Sequence, residues 1–169
     1  KDVPYVVDPV MVATSGDKLI DDVARKHLKE EILPLATIIT PNVPEAEEIV
    51  DFKIVTEDDV NRAGKFIIDE VGCKSVVIKG GHLTGEAKDY LFLNDGTKKV
   101  WTSERFKTNH THGTGCTFSA VITAELAKGK SIVEAVDIGK KFITAAIKYT
   151  PGIGHGNGPV NHMAFKGDL

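Results

Sequence analysis

The order of apolar and polar positions predicts strands alternating with helices in the first half of the chain. Three apolar runs, at 5–10, 37–40 and 75–79, are too short for helices and rich in β-branched residues, which predicts buried strands. Apolar residues that recur every three or four positions between these runs predict helices over about 17–33, over 45–50 and from Thr56 to Gly72. Strands that are apolar throughout and separated by helices indicate parallel pairing, burial on both faces and helices as covering layers.

The pattern changes in the second half of the chain. The runs 90–93 and 98–101 flank Asn94-Asp95-Gly96, which predicts an antiparallel hairpin. Two long helices are predicted after it, one beginning near Gly115 and one with an apolar stripe from Ile132 to Ala146. With 169 residues and no internal repeat or linker, the sequence predicts one α/β domain.

Composition and charge exclude several classes of function. The 21 basic and 24 acidic residues give a net charge of −3, so the chain has no excess of positive charge that would bind a nucleic-acid backbone. The apolar runs are far shorter than the ~20 residues that a membrane-spanning helix needs. Cys73 and Cys116 are too far apart in the sequence for a zinc knuckle or a redox pair. Two cysteines are also too few for a disulfide scaffold, so we expect a reducing, cytoplasmic compartment.

Polar side chains follow each of the three predicted parallel strands. Asp8 follows the first strand, Asn42 and Glu45 follow the second, and Lys79 ends the third. Ligands bind beyond the carboxyl ends of strands in open parallel sheets, so we expect these groups to converge. Two carboxylates and an amide suit Mg²⁺, directly or through water, and an ammonium beside it suits a polyphosphate. Asp8 alone is equally well explained by a turn next to proline, whereas the whole set is better explained by a site.

A glycine-containing turn enters the first of the two long helices. Gly113, Thr114 and Gly115 let backbone N–H groups point to one spot at a helix N-terminus, which predicts an anion site. Cys116 falls in the first helical turn, where the same field is expected to lower the pKa of its thiol. The pattern is a weak signal alone, because it is neither a Walker loop nor a Rossmann fingerprint, and an isolated cysteine is more simply explained as a buried apolar residue.

Four histidines lie close to this turn or in the glycine-rich tail: His110, His112, His155 and His162. No cysteine or carboxylate spacing completes a zinc ligand set with them, so we interpret them as polar loop residues or neighbours of phosphate. The run 152–159 is interpreted as a flexible closing segment.

Five motifs, taken in order, resemble those of the hydroxymethylpyrimidine/phosphomethylpyrimidine kinases. This family belongs to the thiamine pathway and to the ribokinase-like superfamily. The motifs extend over nearly the whole chain and are Asp8-Pro9-Val10-Met11-Val12 with Ser15-Gly16-Asp17, 40–47, 78–82, 112–119 and 158–162. The resemblance implies an α/β fold, a ribokinase-like three-layer sandwich with a mostly parallel central sheet.

The resemblance also implies roles for the residues at the strand ends. Asn42 and Glu45 match the family's Asn-x-x-Glu motif, which organises Mg²⁺ and the nucleotide phosphates, and Lys79 matches the lysine that contacts ATP phosphate. Asp8 is expected beside the metal and the substrate. Val10 matches a position whose backbone lines the pyrimidine pocket.

The glycine turn corresponds to the family's anion hole. Gly113, Thr114, Gly115 and Cys116 match it position by position. Most ribokinase-like sugar kinases have an aspartate base where Cys116 stands. Cysteine occurs there in the pyrimidine kinases and in a related group of bacterial pyridoxal kinases.

One part of the family pattern has no counterpart in this sequence. Members carry an amino-terminal segment with a glycine-rich strand and turn, and with a glutamine that recognises the pyrimidine. Residues 1–169 are therefore expected to be the carboxy-terminal part of a single ribokinase-like kinase domain. On its own, this part is expected to be inactive and not to stay soluble as a monomer.

The activity implied by the resemblance is ATP-dependent phosphorylation of 4-amino-5-hydroxymethyl-2-methylpyrimidine and then of its monophosphate. A homodimer in the cytoplasm is implied as well, without nucleic-acid or membrane partners. Two alternatives stay open: a pyridoxal kinase of the cysteine-containing bacterial type, and a non-catalytic nucleotide-binding module. The presence of Asn42, Glu45, Lys79 and Cys116 together argues against the second alternative.

Overall fold

The computed structural model describes residues 3–11, 19–80 and 87–166. Contacts within the chain divide it into two compact units, Lys1–Thr102 and Ser103–Leu169. The helices are α1 (Asp22–His27), α2 (Val43–Val50), α3 (Glu57–Phe66), α4 (Thr114–Ala127) and α5 (Ile132–Lys148). None of the helices in the described residues combines the length and apolar character needed to cross a membrane.

The first unit contains a mixed five-stranded sheet. Its strands are β1 (Val6–Val7), β2 (Ile38–Ile39), β3 (Ser75–Lys79), β4 (Ala87–Leu93) and β5 (Lys98–Ser103), and they lie side by side in chain order. The pairs β1–β2 and β2–β3 are parallel, and β3–β4 is antiparallel, with Ser75 opposite Leu93. The parallel pairing of the three predicted strands is confirmed.

The first two strands are shorter than the apolar runs that predicted them. Pro4 and Pro9 flank β1, and Pro41 follows β2 by two residues. Because proline has no backbone N–H to donate, the regular ladder is interrupted at these positions. Each short strand is thus followed at once by irregular backbone that carries polar side chains.

The helices of the first unit begin at side-chain caps. The helix predicted from residue 17 begins at Asp22, where the Asp21 carboxylate accepts from the Ala24 N–H; residues 17 and 18 lie outside the described residues. Its helical path continues through a π-helical turn and ends in a 3₁₀ turn, Leu33–Leu35, close to the predicted end at Pro34. The predicted start at Thr56 is confirmed by a reciprocal capping box with Asp59.

The central strands of the sheet in the first unit are buried on both faces, as predicted from their apolar runs, whereas β5 is mostly exposed. On one face, Val76 and Ile78 join a cluster with Ala46, Ile49, Val60, Ala63 and Ile67 from the helices. On the other face, Ile38, Val77 and Leu91 are completely buried. The hairpin prediction is also confirmed, because β4 and β5 are neighbours and the Leu93 N–H donates to the Thr97 carbonyl across the turn at 2.9 Å.

The second unit is built on the packing of α4 against α5. Phe118 and Ile122 of α4 are buried under Gly139 of α5, where an added Cβ would lie 3.0 Å from the Phe118 ring. The predicted break between the helices is confirmed, with Gly129 in the left-handed region and Ser131 capping α5. The loop before α4 and the tail after α5 belong to the same unit.

Candidate functional site

The carboxyl ends of the three parallel strands meet at one edge of the sheet. Asp8 directly follows β1, Asn42 lies three residues after β2, and Lys79 is the last residue of β3. Asn42 and Lys79 form an isolated parallel bridge, and the Lys79 N–H donates to the Pro41 carbonyl at 2.8 Å. The predicted convergence of these residues is therefore present in the first unit.

Asp8 and Lys79 form a partly buried ion pair at this edge. The Lys79 Nζ lies 3.2 Å from the Asp8 Oδ1, and only 16% of each side chain is exposed. The Thr40 hydroxyl, which is fully buried, donates to the same Oδ1 at 3.0 Å. Since water is mostly excluded here, the attraction between the two charges is stronger than for an exposed pair. The ammonium is thus held in place by a carboxylate that is itself held by Thr40, the residue directly after β2.

Asn42 and Glu45 form the capping box that starts α2. The Asn42 Oδ1 accepts from the Glu45 N–H, and the Glu45 Oε2 accepts from the Asn42 N–H, both at 2.8 Å. Pro44 occupies the first helical turn, where the fixed φ of proline favours a helix. The motif predicted as a metal and nucleotide site therefore also serves as a helix cap.

The environment of Glu45 is unusual for a carboxylate. Glu45 is only 5% exposed, and burial raises the pKa of its carboxyl above the ordinary value. The Asn42 N–H and the Lys79 ammonium act in the opposite direction, whereas the Asp8 carboxylate raises the pKa further. Two carboxylates thus face a single ammonium in a poorly hydrated place, an imbalance that a bound cation would relieve.

The donor types at this edge fit a magnesium ion. Carboxylate and amide oxygens are hard ligands, which Mg²⁺ prefers. Within 3–11, 19–80 and 87–166, no group of three or more His, Cys, Asp or Glu side chains is arranged to hold a metal. Mg²⁺ is commonly bound by one or two carboxylates, with phosphate oxygens and water completing its octahedron. Asp8 and Glu45 correspond to that smaller protein contribution.

The glycine turn of the second unit leaves two amides of α4 without a cap. Gly113 is the N-cap residue, with φ +82°, and no side chain accepts a cap hydrogen bond. The Thr114 N–H donates to the Thr111 carbonyl at 3.2 Å, and the Thr117 N–H to the Gly113 carbonyl at 2.9 Å. The N–H groups of Gly115 and Cys116 lie between these two and have no helical carbonyl to bind. They form part of the positive end of the helix dipole, an arrangement that can receive an anion.

The two cysteines occupy opposite environments. Cys116 is exposed in the first turn of α4, so the alternative interpretation as a buried apolar residue is wrong. Cys73 is buried in the core of the first unit, as expected, and burial raises the pKa of its thiol to about 12. Cys116 is thus the thiol that faces solvent beside the open amides.

The remaining predicted residues lie as follows. Val10 is partly exposed, and its N–H donates to the Asp8 carbonyl at 2.9 Å in a tight turn after β1. The parts of the predicted motifs that lie outside the described residues are Val12, Ser15, Gly16, Asp17, Gly81 and His82. Asp8, Asn42, Glu45 and Lys79 belong to the first unit, and 113–116 belong to the second.

Two hydrogen bonds near the candidate site, one made by Thr40 and one by His162, were not predicted from the sequence. Thr40 had a detectable signal, because it precedes Pro41 at the end of a predicted strand, next to the residues that were singled out. The hydrogen bond between the His162 Nε2 and the Thr117 Oγ1, 2.9 Å long, joins residues 45 positions apart and had none.

Several known kinases are similar to this chain. A family model described as phosphomethylpyrimidine kinase matches residues 1–161. The hydroxymethylpyrimidine/phosphomethylpyrimidine kinase of Staphylococcus aureus strain MSSA476 is 58% identical over 165 residues, which cover 96% of this chain. The chain spans 59% of the length of that relative.

Solved structures match as well. Bacillus subtilis pyridoxal kinase, in its ADP complex, has a TM-score of 0.84 at 42% identity, over 94% of this chain and 60% of that one. Phosphomethylpyrimidine kinase from Clostridium difficile 630 has a TM-score of 0.74 at 46% identity, over 86% of this chain and 58% of that one. These matches confirm the predicted α/β, ribokinase-like fold class.

The environments of the two cysteines predict selective thiol labelling. At about pH 8, iodoacetamide should modify Cys116 in the native protein, whereas Cys73 should react only after unfolding, because it is buried and its thiol stays protonated. Peptide mapping by mass spectrometry measures the label at each position. Cys116→Ser should remove the native label from this part of the protein. Equal native labelling of both residues would contradict the described burial.

Proposed function

Because the chain belongs to the phosphomethylpyrimidine kinase family, we propose that the full-length protein phosphorylates 4-amino-5-hydroxymethyl-2-methylpyrimidine with ATP, and then its monophosphate, for thiamine biosynthesis. The chain spans 59% of the length of its S. aureus relative, and we propose that it is the carboxy-terminal part of a single kinase domain. The activity is therefore assigned to the full-length protein.

The arrangement that carries the proposal is the pair of carboxylates beside one ammonium at the sheet edge. Phosphoryl transfer mainly requires alignment of the reactants and stabilisation of the negative charge that spreads over the transferred group. The Lys79 ammonium, held by the Asp8 carboxylate that also accepts from the Thr40 hydroxyl, suits a nucleotide phosphate oxygen. Asp8 and Glu45 would hold Mg²⁺, directly or through water. The ion would neutralise the polyphosphate and make ADP a better leaving group.

The glycine turn suits the transferred phosphoryl group. The uncapped amides of Gly115 and Cys116 supply donors that need no rearrangement as negative charge develops. In the first reaction, the hydroxymethyl oxygen forms a bond to the γ-phosphorus, the bond to the ADP oxygen breaks, and the hydroxyl proton moves to the sulfur of Cys116, which acts as a thiolate and becomes a thiol. In the second reaction, the attacking phosphate oxygen is already ionised, so no base is needed.

Two other functions remain as alternatives. A pyridoxal kinase would use the same apparatus, because pyridoxal also has a hydroxymethyl group on an aromatic ring, and B. subtilis pyridoxal kinase is 42% identical to this chain. A non-catalytic nucleotide-binding module would keep the nucleotide side of the site without turnover. The pyrimidine kinase is preferred because the family model and the S. aureus relative both have that description.

The proposal extends to the state of the protein in the cell. A homodimer in the cytoplasm is implied by the family resemblance and forms part of the proposal. The net charge of −3 agrees with a small-molecule substrate rather than a nucleic acid.

A substrate comparison tests the proposed function. The full-length protein with ATP and Mg²⁺ should convert the hydroxymethylpyrimidine to its monophosphate and then to its diphosphate, measured by ADP release and product mass. Pyridoxal and a reaction without acceptor serve as comparisons. Phosphorylation of pyridoxal without turnover of the pyrimidine monophosphate would favour the pyridoxal kinase, and nucleotide binding without any turnover would favour the non-catalytic module.

Removal of the Cys116 thiol should affect the two reactions differently. Cys116→Ala should lower kcat for the alcohol by a factor of ~10²–10⁴, as is typical of a lost general base. The decrease in kcat should be smaller for the monophosphate, because that nucleophile is already ionised. Separate kcat measurements with the alcohol and the monophosphate give the comparison. Cys73→Ala, in the core, tests for general damage. Equal losses in both reactions would assign Cys116 to positioning instead.

Removal of the Glu45 charge should raise the magnesium requirement. Glu45→Gln keeps an N3 side chain that can cap α2, so the helix should be preserved while the carboxylate is lost. Glu134→Gln makes the same change in the capping box of α5 and is the matched control. Titration of activity with Mg²⁺ should give a higher midpoint for Glu45→Gln alone. An unchanged midpoint in Glu45→Gln would remove Glu45 from the metal site.

The magnesium requirement of the unsubstituted enzyme should also rise as the pH falls. Burial raises the pKa of Glu45, so protons compete with the metal for its carboxylate.

A further inference from the structure

The tail of the second unit lies against the loop that precedes α4. The His112 N–H donates to the Gly158 carbonyl at 3.1 Å, and the Val160 N–H donates to the His112 carbonyl at 3.4 Å. These two bonds form a short parallel bridge between His112 and Pro159. His112 directly precedes Gly113, the N-cap residue of α4, so the bridge fixes the backbone at the entrance to the glycine turn.

The same tail is fixed to the end of α5. The Asn161 N–H donates to the Ala146 carbonyl at 2.9 Å, and the Asn161 Nδ2 donates to the Tyr149 carbonyl at 2.8 Å. Carbonyl groups at the end of a helix lack helical partners, so Asn161 satisfies two groups that would otherwise need water. Val160 beside it is buried. The tail is thus attached both to the long helix and to the loop.

A side-chain contact reaches the first turns of α4 directly. The His162 Nε2 lies 2.9 Å from the Oγ1 of Thr117, which is buried. The Thr117 N–H closes the turn by donating to the Gly113 carbonyl. Between these two residues are the open amides of Gly115 and Cys116. A contact that orients Thr117 therefore orients the turn that presents those amides.

Gly158 shows how closely the tail approaches the loop. A Cβ at this position would lie 1.9 Å from the His110 Nδ1 and 2.8 Å from the Ile153 carbonyl oxygen. Atoms cannot approach so closely, and the carbonyl belongs to backbone that cannot simply turn away. Only glycine fits without displacing the tail from His110.

We infer that residues 158–162, here named the tail clamp, hold the glycine turn in its anion-binding geometry, with His162 as a positioning residue acting through Thr117. The effect on catalysis rests on the proposed function, whereas the effect on the turn does not. In this assignment His162 does not contact the substrate. It orients the Gly115 and Cys116 amides, which are proposed to bind the transferred phosphoryl group. The interpretation of 152–159 as only a flexible closing segment is replaced for residues 158 and 159 by this assignment.

Variants of His162 in the full-length protein test the inference. His162→Ala should lower kcat about tenfold, as expected for one lost side-chain hydrogen bond, with KM for ATP nearly unchanged. His162→Gln should recover most of kcat, because the glutamine amide can reach the same hydroxyl. His155→Ala removes a histidine that is exposed in the same tail and should leave kcat unchanged. Equal losses in the Ala and Gln variants, or none, would overturn the role of His162.

Hydrogen exchange gives a measurement that does not depend on activity. In His162→Ala, the peptide covering 113–117 should exchange about tenfold faster, whereas a peptide covering β3 should be unchanged. Unchanged exchange at 113–117 would overturn the clamp. If the unsubstituted protein shows no turnover of any substrate, the proposed function fails, and the exchange result still decides whether the clamp exists.

A second variant addresses the case in which His162→Ala unfolds the protein. Thr117→Val removes the hydroxyl from the other side of the same contact with little change in volume. It should reproduce the loss of kcat and the faster exchange at 113–117. The double variant should be no worse than the more affected single variant, because both remove one interaction. Additive losses would show that the two side chains act independently and would overturn the assignment.

Discussion

The candidate site in the first unit depends on the parallel pairing of β1, β2 and β3. Parallel order brings three carboxyl ends to one edge, so residues far apart in the chain become neighbours: Asp8 and Lys79 are 71 positions apart and form an ion pair. Buried charges need partners, and Thr40 supplies a further hydrogen bond to the same carboxylate. Glu45 is less well compensated, because burial outweighs the contacts that favour its ionised form. The edge therefore satisfies its cation and leaves surplus negative charge, which is the electrostatic condition for a metal bound together with phosphate.

The N-termini of α2 and α4 show two opposite uses of the same structural feature. At α2, Asn42 and Glu45 cap each other, so their backbone N–H groups are already occupied. At α4, the N-cap residue is Gly113, which has no side chain, and the amides that follow stay open. A capped terminus with a buried carboxylate favours a cation, whereas an uncapped terminus favours an anion. The difference lies in a single residue type at the N-cap position, and within the proposed function it separates a metal-binding role from a phosphoryl-binding role.

Local sequence signals predicted most of the elements and much of the site. The capping residue Thr56, the turn at Asn94-Asp95-Gly96 and the polar residues at the strand ends all act through neighbours in the chain or through the periodicity of apolar positions. The exposure of Cys116 could not be predicted, because a small apolar thiol fits both a core and a helix entrance. The contact of His162 with Thr117 was equally inaccessible, since it depends on the path of the tail after α5. Such contacts are set by tertiary packing, for which neither residue type nor spacing provides a signal.

The choice of cysteine at position 116 has a physical rationale within the proposed function. A base is useful when the nucleophile is a neutral alcohol, but it is unnecessary when the nucleophile is a phosphate oxygen. An aspartate beside the phosphate would keep its negative charge at neutral pH and repel the second substrate, whereas a cysteine sulfur that has accepted the proton of the alcohol is neutral and does not. The exposed position of Cys116 beside open backbone donors allows an anionic nucleophile to approach without a fixed charge of the same sign. An enzyme that must phosphorylate first an alcohol and then its phosphate therefore gains from a thiol where a kinase for neutral sugars gains from a carboxylate.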